Sequence, residues 1–462
     1  MSNKQADGTL YARCPGETWD DILEQDAKTH EVPEFLTEES LRDLGSDSIN
    51  AEAYTSEDYA ELERTKMWPH VWQFAAREED IPEVGDYIIY ENAGRSFLIS
   101  RQDDRSVKAF YNVCLHRGRK LRTEDGNTKT FVCPFHGFTW RKTGDFLNVP
   151  CKWDFAHLDK ENLGLPEVNV ERCSGYIFIN EDHEAEPFVE WAKPFKEHFE
   201  RWKHEECQTV AWVGKVVKAN WKVTSEAFLE AWHSIITHPQ ILGFTGDANT
   251  RYDIYGDHVN RALTPFGVLS PHLADKQLTE QDIADDFAKL SGRSGSEVIK
   301  IPDGMTARQK LAANNRKTYS EACGRDLSHI SDGEFVDALL YSVFPNFAPW
   351  GGYMPNVVYR FRPYGDVDTC LMEVRILSRR KIDEPLTKSP DMVFLDADQP
   401  WSDAADFIGP TLASVYDQDM TNLPYIQEGL KSSFNKKVEL GNYQEIRVRH
   451  FHQTIQKYFD KY

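Results

Sequence analysis

The sequence predicts an α+β protein in which an antiparallel β domain precedes a larger domain that combines helices with an antiparallel sheet. The chain has 462 residues, which is more than one ordinary hydrophobic core serves, so two or three domains are expected. Short β-branched and aromatic runs dominate the first half, and helical patterns mix with strands after them. We therefore divide the chain into an arm (1–69), a β domain (70–182) and a helix-and-sheet domain (183–462).

The arm is acidic and is interrupted by turn-forming residues. Its clearest element is a helix predicted over residues 56–67, with the sequence SEDYAELERTKM. Ser56 suits the N-cap position, because its hydroxyl can accept a hydrogen bond from an N–H group that the first turn leaves unpaired. Glu57 and Asp58 follow in the first turn, where acidic residues favour a helix start.

The β domain is predicted from five short apolar runs that turn residues such as Asn92-Ala93-Gly94 separate. The runs are DYIIYE, SFLISR, VKAFYNV, TFVCPF and GYIFIN. Several short strands at close spacing are typical of an antiparallel sheet. The second domain has the strand-like runs VVYRFRPY and CLMEVRILSRR, and its last segment, YQEIRVRHFHQTIQKYFDKY, has the apolar spacing of a C-terminal helix.

Composition excludes several classes of function. The formal charge of −22 argues against nucleic acid and against anionic membrane surfaces, and either a solvated acidic surface or a basic partner explains it. The sequence has no apolar run long enough to span a bilayer and no secretory signal at its start. Its eight cysteines are too scattered for a disulfide scaffold. We therefore expect a cytoplasmic protein.

Two short clusters, C-L-H at 114–116 and C-P-F-H at 133–136, supply two thiolates and two imidazoles. This ligand set suits zinc or an iron–sulfur cluster. Zinc is the weaker alternative, because zinc fingers use C-x2-4-C and H-x3-5-H rather than mixed pairs. Gly118 and Gly137 follow the clusters and allow close backbone approach, so N–H groups can point at cluster sulfides. The candidate ligands are Cys114, His116, Cys133 and His136.

A second group of candidate residues lies in NWKVTSEAFLEAWHSIITHP, which we predict to be a helix. Glu226, Glu230 and His233 are spaced so that they share one helical face. His238 lies about 140° around a regular helix from His233, so the two imidazoles converge only where the helix loosens. Pro239 provides the reason, because it disfavours helical geometry at His238. Two histidines and a carboxylate form the metal site of non-heme Fe(II) oxygenases, although two ordinary histidines have the same spacing.

Both segments resemble one known family. CLHRGRKLRTEDGNTKTFVCPFHGFTW resembles the Rieske [2Fe–2S] motif C-x-H-R-G…C-x-x-H-G. NWKVTSEAFLEAWHSIITHP resembles the N-W-K…E-N-x-x-[DE]-x-Y-H-x4-H block of the large subunits of Rieske non-heme iron oxygenases. Ala227 stands for the usual Asn and Trp232 for the usual Tyr, and neither change removes a ligand. The resemblance implies a Rieske [2Fe–2S] domain and a helix-grip-like catalytic domain with mononuclear iron.

The resemblance also implies a role for each candidate residue. Two cysteines would hold one iron of the cluster and two histidines the other. His233 and His238 would bind a mononuclear Fe(II), and Glu230 would bridge His233 to His136 of a neighbouring subunit. Glu230 stands where naphthalene-type dioxygenases have an aspartate, and other branches of the family have a glutamate there. The cluster ligands in this alignment are Cys114, Cys133, His116 and His136.

The third iron ligand is expected in VYDQDMTNLPYIQEGL, which resembles the carboxylate-bearing helix of the family. On that alignment Asp419 is the ligand, with Gln427 and Gly429 in register. Asp417 is the alternative. The two aspartates lie about 200° apart on a helix, so only one of them can face the iron.

The function that the resemblance implies is a terminal oxygenase, which uses O2 and electrons from a ferredoxin or a flavin reductase. Its expected substrate is an aromatic or other bulky apolar molecule that undergoes ring dihydroxylation. Monooxygenation or demethylation uses the same ligands and stays open, as does a Rieske electron-transfer protein without oxygenase activity. The expected assembly is a homotrimer, with or without a β subunit.

Overall fold

A computed structural model describes residues 4–5, 9–290, 299–354 and 356–462. Its β domain contains a seven-stranded sheet and a three-stranded sheet in which all recorded pairs are antiparallel. The larger sheet has the strand order Gln73–Arg77, Tyr176–Asn180, Glu167–Cys173, Val107–Tyr111, Arg95–Arg101, Asp86–Asn92 and Gly126–Asn127. The smaller sheet consists of Thr130–Val132, Thr139–Arg141 and Phe146–Asn148.

The second domain is built on an eight-stranded sheet. Its strands pair antiparallel except at one edge, where Val393–Leu395 runs parallel to Cys207–Val217. The expected antiparallel sheet is therefore confirmed with one parallel edge strand. The strand order is Arg251–Tyr255, Val259–Thr264, Ala338–Val343, Phe347–Pro349, Asn356–Tyr364, Asp366–Arg379, Cys207–Val217 and Val393–Leu395.

Helices pack around this sheet and contribute to the large core. The predicted C-terminal helix is confirmed as Ile446–Lys461. Within the described residues, no helix combines the length and the apolar character that a membrane span requires. The longer helices are Trp19–Asp26, Glu57–Leu62, Lys193–Trp202, Trp221–Glu226, Glu280–Leu290, Ala307–Cys323, Pro410–Met420, Leu423–Lys431 and Ile446–Lys461.

The strand Tyr176–Asn180 joins the two domains through its two faces. Side chains alternate along a strand, so Ile177 and Ile179 enter the core of the β domain. Tyr176 and Phe178 point the other way, into the large core that the second domain forms. The GYIFIN run is thus apolar at consecutive positions because both faces of this strand are buried.

The arm packs into the same large core and is not a separate unit. Trp19, Tyr54 and Trp68 all lie in this core. The predicted helix begins as expected, with the Ser56 hydroxyl accepting a hydrogen bond from an N–H of the first turn. A single apolar core therefore crosses the boundary predicted at residue 69, and the domain boundaries stay predictions.

The arm helix changes type half-way, from an α-helix at Glu57–Leu62 to a π-helix at Glu63–Met67. The π turn faces Glu63 inward, where its carboxylate accepts from Lys222 Nζ at 2.5 Å and from Trp221 Nε1 at 2.9 Å. The arm is thereby tied to the start of the helix that leads into the candidate iron site.

The β domain and the second domain are also joined by a buried ion pair. Asp80 accepts from both terminal nitrogens of Arg375, at 2.8 and 2.9 Å, and both side chains are buried. Burial raises the pKa of Asp80, but Arg375, together with hydrogen bonds from Ser389 and from the N–H of Arg77, lowers it, and the net shift of this pKa is downward. Because the folded-state pKa lies below the ordinary value of about 3.9, the carboxylate stabilises the fold at neutral pH. This contribution is lost as the pH falls below about 4.

We expect Arg375→Met to lower the free energy of unfolding by about 3–5 kcal/mol at pH 7, because it leaves a buried carboxylate without its partner. Urea titration measures this change. The control is Lys108→Ala, which breaks the exposed pair with Glu167 and should cost less than about 1 kcal/mol. The difference between Arg375→Met and the wild type should narrow below about pH 4. Equal costs for the two variants would contradict a stabilising role for the buried pair.

Candidate functional site

The two cysteine–histidine clusters form loops with the same backbone geometry. Cys114 N–H donates to the carbonyl of Arg119, and Gly118 N–H donates back to Cys114, at 2.8 and 3.0 Å. Cys133 N–H likewise donates to the carbonyl five residues on, and Gly137 N–H donates back to Cys133, at the same two distances. Gly118 and Gly137 have φ values of 75° and 73°, a region that favours glycine. The glycines that follow the clusters are thus required by the turns.

The loops direct backbone N–H groups at two buried sulfur atoms. Burial raises the pKa of the Cys114 thiol, and the N–H of His116 offsets only part of this rise. Burial also raises the pKa of Cys133, but the N–H groups of Phe135 and His136 and the neighbouring Cys114 thiol bring it below its ordinary value. Two adjoining sulfurs that receive N–H donors suit thiolates bound to iron.

The two imidazoles lie beside each other and differ in exposure. The ring centroids of His116 and His136 are 4.7 Å apart. His116 stacks on Phe138, and its buried Nδ1 has no hydrogen-bond partner, whereas His136 is exposed. A buried imidazole nitrogen without a partner fits a metal ligand, because burial without one is unfavourable. The two buried sulfurs and the two adjacent imidazoles therefore fit a [2Fe–2S] cluster with mixed ligands.

A second set of possible metal ligands comes together in the larger domain. One ligand atom from each of His233, His238 and Asp419 lies within 4.8 Å of the others. Asp419 Oδ1 lies 3.0 Å from His238 Nε2 and 3.8 Å from His233 Nε2. His238 and Asp419 are buried, and the side chain of His233 is 26% exposed. Two imidazole nitrogens and one carboxylate oxygen fit a mononuclear Fe(II) and leave coordination positions open.

Asp417 lies away from His233, His238 and Asp419. Its carboxylate accepts from the N–H groups of Trp401 at 2.6 Å and Ser402 at 3.1 Å. It thus satisfies the first N–H groups of the short helix Trp401–Ala404. The structure brings Asp419, and not Asp417, to the histidines.

The predicted helix ends at His238 as expected, but it is also interrupted before His233, which was not predicted. The structure has a helix at Trp221–Glu226, an irregular segment at 227–233 and a short helix at Ser234–Thr237. His238 leaves helical geometry, with φ −126° and ψ 53°, as its position before proline predicts. Helical structure is therefore interrupted before His233 and ends at His238.

Side chains from distant segments hold the irregular segment in place. Arg447, in the C-terminal helix, is fully buried and donates to the carbonyls of Phe228 and Leu229 at 3.4 and 3.3 Å. The hydroxyl of Tyr252 accepts from Ala231 N–H at 3.1 Å. These contacts satisfy backbone groups that an interrupted helix leaves unpaired. Arg447 and Tyr252 were not predicted, because they lie far from this segment in the sequence.

Glu230 contacts His233 although the two do not share a regular helix. Its Oε1 lies 2.5 Å from His233 Nδ1, and its Oε2 accepts from His233 N–H at 3.1 Å. Burial lowers the pKa of His233, but Glu230 and then Asp419 raise it, and the net shift is upward. An acceptor at Nδ1 keeps a proton there and leaves Nε2 free for a metal.

Glu226 lies outside the set of possible metal ligands. Its Oε1 lies 2.6 Å from His452 Nε2, and its Oε2 accepts from the Tyr54 hydroxyl at 3.0 Å. The contact therefore runs to the arm and to the C-terminal helix. It also shows that His452, which is buried and has no ligand-like spacing in the sequence, has a defined partner.

A cavity of about 330 Å³ lies beside the possible metal ligands. Four acidic residues line it, and the lining includes no lysine or arginine among the described residues. Its acidic residues are Glu226, Glu230, Asp419 and Glu445, and its apolar wall includes Val223, Leu423, Ile426, Leu430, Val438, Leu440 and Val448.

Sequence comparisons agree with both candidate sites. Residues 71–159 match the Rieske [2Fe–2S] domain, and residues 197–461 match the catalytic domain of the ring-hydroxylating alpha subunit. The large oxygenase component of the naphthalene 1,2-dioxygenase system of Pseudomonas putida is 34% identical over 298 residues, which cover 63% of this chain and 62% of that protein. Benzene 1,2-dioxygenase subunit alpha of Pseudomonas putida is 30% identical over 207 residues, which cover 44% and 45%. Each alignment spans less than two thirds of the relative.

Solved structures share the fold. Naphthalene 1,2-dioxygenase with bound indole has a TM-score of 0.61 at 21% identity, and the match covers 91% of this chain and 93% of the other. A quaternary ammonium Rieske monooxygenase with bound L-carnitine has a TM-score of 0.62 at 17% identity and covers 91% and 99%. The predicted fold class and the two predicted cofactors, a [2Fe–2S] cluster and a mononuclear iron, are confirmed. The chain belongs to the ring-hydroxylating alpha subunit family, with a Rieske [2Fe–2S] domain followed by a catalytic domain.

Proposed function

We propose that the protein is a terminal oxygenase, which uses O2 and electrons from a ferredoxin or a flavin reductase to hydroxylate an aromatic or other bulky apolar molecule. One observation carries the proposal: a single chain holds a pair of loops with two cysteines and two histidines, and a separate site with two histidines and a carboxylate. When bound, the cluster supplies single electrons and the mononuclear iron supplies the activation of O2. The relatives named for naphthalene and benzene support an aromatic substrate.

His233, His238 and Asp419 are the residues that hold the mononuclear iron. Three protein ligands would leave other coordination positions of the iron open. Glu230 orients His233 by holding its Nδ1 proton, so that Nε2 faces the metal. His238 and Asp419 are buried, which excludes water from the protein side of the site.

The cluster is held at an exposed surface that suits contact with a partner. Its ligands are Cys114, His116, Cys133 and His136. The tip of the two loops exposes Leu115 and Phe135, the latter at 55%, and Arg117 lies over the Phe135 ring. Arg119 is also exposed, so this tip is both apolar and basic although the whole chain is acidic. Such a surface suits an acidic, partly apolar partner.

The cavity beside the iron ligands is a surface of this acidic and partly apolar kind. It is lined by carboxylates. Ile236, 82% exposed, and Tyr425, 69% exposed, directly precede the lining residues Thr237 and Ile426 in the sequence. The loop tip of one copy of the chain therefore complements the cavity of a second copy. A contact between two different surfaces of the same chain forms a closed ring when its rotation closes, and we propose a homotrimer, with or without a β subunit.

Glu230 is the bridge between copies in this assembly. It lines the cavity and already contacts His233, so a second imidazole that enters the cavity meets a carboxylate bound to an iron ligand. His136 is the exposed imidazole of the loop tip. A carboxylate between His136 of one copy and His233 of another orients both rings and gives electrons a short hydrogen-bonded path.

Insertion of one oxygen atom, or demethylation, is the second candidate reaction. The iron ligands do not separate the two reactions, because both use them.

The proposed iron ligands can be tested by metal analysis. Asp419→Ala should lose the mononuclear iron and keep the visible spectrum of the cluster, because it removes one of three ligands. Asp417→Asn is the matched control, two residues away, and should keep both metals, since an amide oxygen still accepts from Trp401 N–H. Loss of iron in Asp417→Asn and its retention in Asp419→Ala would reverse the assignment.

Oxygenase activity is separated from plain electron transfer by His233→Ala. This variant should oxidise no substrate, because the iron site is incomplete, and should keep the cluster spectrum. Turnover by the wild-type protein is followed by product mass, which increases by two oxygen atoms for dihydroxylation and by one for monooxygenation. Unchanged turnover in His233→Ala would exclude His233 as a ligand of the catalytic iron, and a wild-type protein that adds no oxygen to any substrate would contradict the oxygenase assignment.

Electron transfer between copies is tested by mixing two inactive variants. Cys133→Ser should lack the cluster and His238→Ala should lack the mononuclear iron, so neither is active alone. Co-expression with two affinity tags yields mixed oligomers, which should regain activity because a cluster in one copy serves the iron site of another. Inactive mixed oligomers that contain both metals would contradict transfer between copies.

A further inference from the structure

The two histidines of the iron site have different hydrogen-bond partners at Nδ1. His233 Nδ1 lies 2.5 Å from a carboxylate oxygen of Glu230. His238 Nδ1 lies 2.8 Å from Oε1 of Gln418, a neutral carboxamide. Gln418 directly precedes Asp419, so one turn of the helix Pro410–Met420 supplies both an iron ligand and the partner of a second ligand.

A second glutamine fixes the orientation of the Gln418 amide. Gln240 Nε2 donates to Gln418 Oε1 at 2.7 Å, and Gln418 Nε2 donates back to Gln240 Oε1 at 3.3 Å. Gln418 Oε1 therefore accepts two hydrogen bonds, one from Gln240 and one from His238. A neutral imidazole that binds metal through Nε2 carries its proton on Nδ1, and this oxygen is the acceptor that such a proton needs.

The amide pair also connects two segments of the chain that carry iron ligands. His238 and Gln240 lie in the turn that contains the short helix Pro239–Ile241, while Gln418 lies 180 residues after His238. Both His238 and Asp419 are buried, and their facing atoms, Nε2 and Oδ1, are 3.0 Å apart. The hydrogen bond to Gln418 therefore sets how the His238 ring faces Asp419.

We propose that Gln418 is a positioning residue of the iron site, which fixes the tautomer and the ring angle of His238 through the hydrogen bond at Nδ1. The inference rests on the proposed iron site. A carboxylate at Nδ1 makes an imidazole a stronger ligand than a neutral carbonyl does. Glu230 and Gln418 thus make the two ligands unequal, and the stronger one, His233, is the ligand beside the acidic cavity.

The charge at position 418 separates this role from simple packing. Gln418→Glu keeps an acceptor at His238 Nδ1 and adds a negative charge, so it should bind Fe(II) at least as tightly as the wild type. Gln418→Leu removes the acceptor and should weaken Fe(II) binding about 10–100-fold, the usual effect of losing a partner of a metal ligand. Gln240→Leu is the matched control, which breaks the amide pair but keeps the Gln418 carbonyl, and should weaken binding less than Gln418→Leu does.

The experiment is an anaerobic titration of Fe(II) alone, with a competing chelator, into protein from which the mononuclear iron has been removed. The visible spectrum of the cluster reports that each variant is folded. Affinities in the order Glu, Gln, Leu at position 418 support the proposal. Equal affinities for Gln418→Leu and the wild type, or equally weak binding by Gln418→Glu and Gln418→Leu, would overturn it. Asp419→Ala serves as a separate arm, because undiminished Fe(II) binding there would instead contradict the iron site itself.

Discussion

The proposed iron site depends on the interruption of helical structure between Trp221–Glu226 and Ser234–Thr237. On a regular helix, the imidazoles of His233 and His238 would point about 140° apart, and no single ion could bind both. His238 escapes this restriction because it leaves helical geometry before Pro239. The interruption before His233 leaves carbonyl groups without helical partners. Arg447 compensates by donating to two of these carbonyls, so the C-terminal helix is a structural part of the site.

The same arginine also places a positive charge near Glu230. Arg447 is a fully buried cation, and its recorded hydrogen bonds run to Asn260 and to backbone carbonyls. Burial lowers the pKa of Arg447, and Tyr252 and Glu230 act in the opposite direction. One arginine thus supports the backbone of the site and places a positive charge near Glu230.

The parts of the structure that the sequence predicted are those that local spacing determines. Cys114 and His116 are two residues apart, and the turn after them needs a glycine at Gly118, so the motif contains its own geometry. Asp419 was favoured over Asp417 by family resemblance, and the two aspartates indeed face different neighbours. The interruption of the helix before His233 was not predicted, because the local spacing of residues favours a continuous helix there. The contacts that hold the break join residues far apart in the sequence, such as Arg447 and Leu229, which lie 218 residues apart, and no local pattern signals them.

The strand Tyr176–Asn180 explains why the cluster is expected to serve a second copy of the chain. Its isoleucines pack in the β domain and its aromatic residues pack in the second domain, so the two domains share a close-packed strand. The Asp80–Arg375 pair adds a buried polar tie at the same junction. A close-packed junction resists rotation of one domain against the other, because packed cores move little without losing contacts. The proposed assembly of copies would bring the basic loop tip with His136 and the acidic cavity together while each chain keeps this packed arrangement.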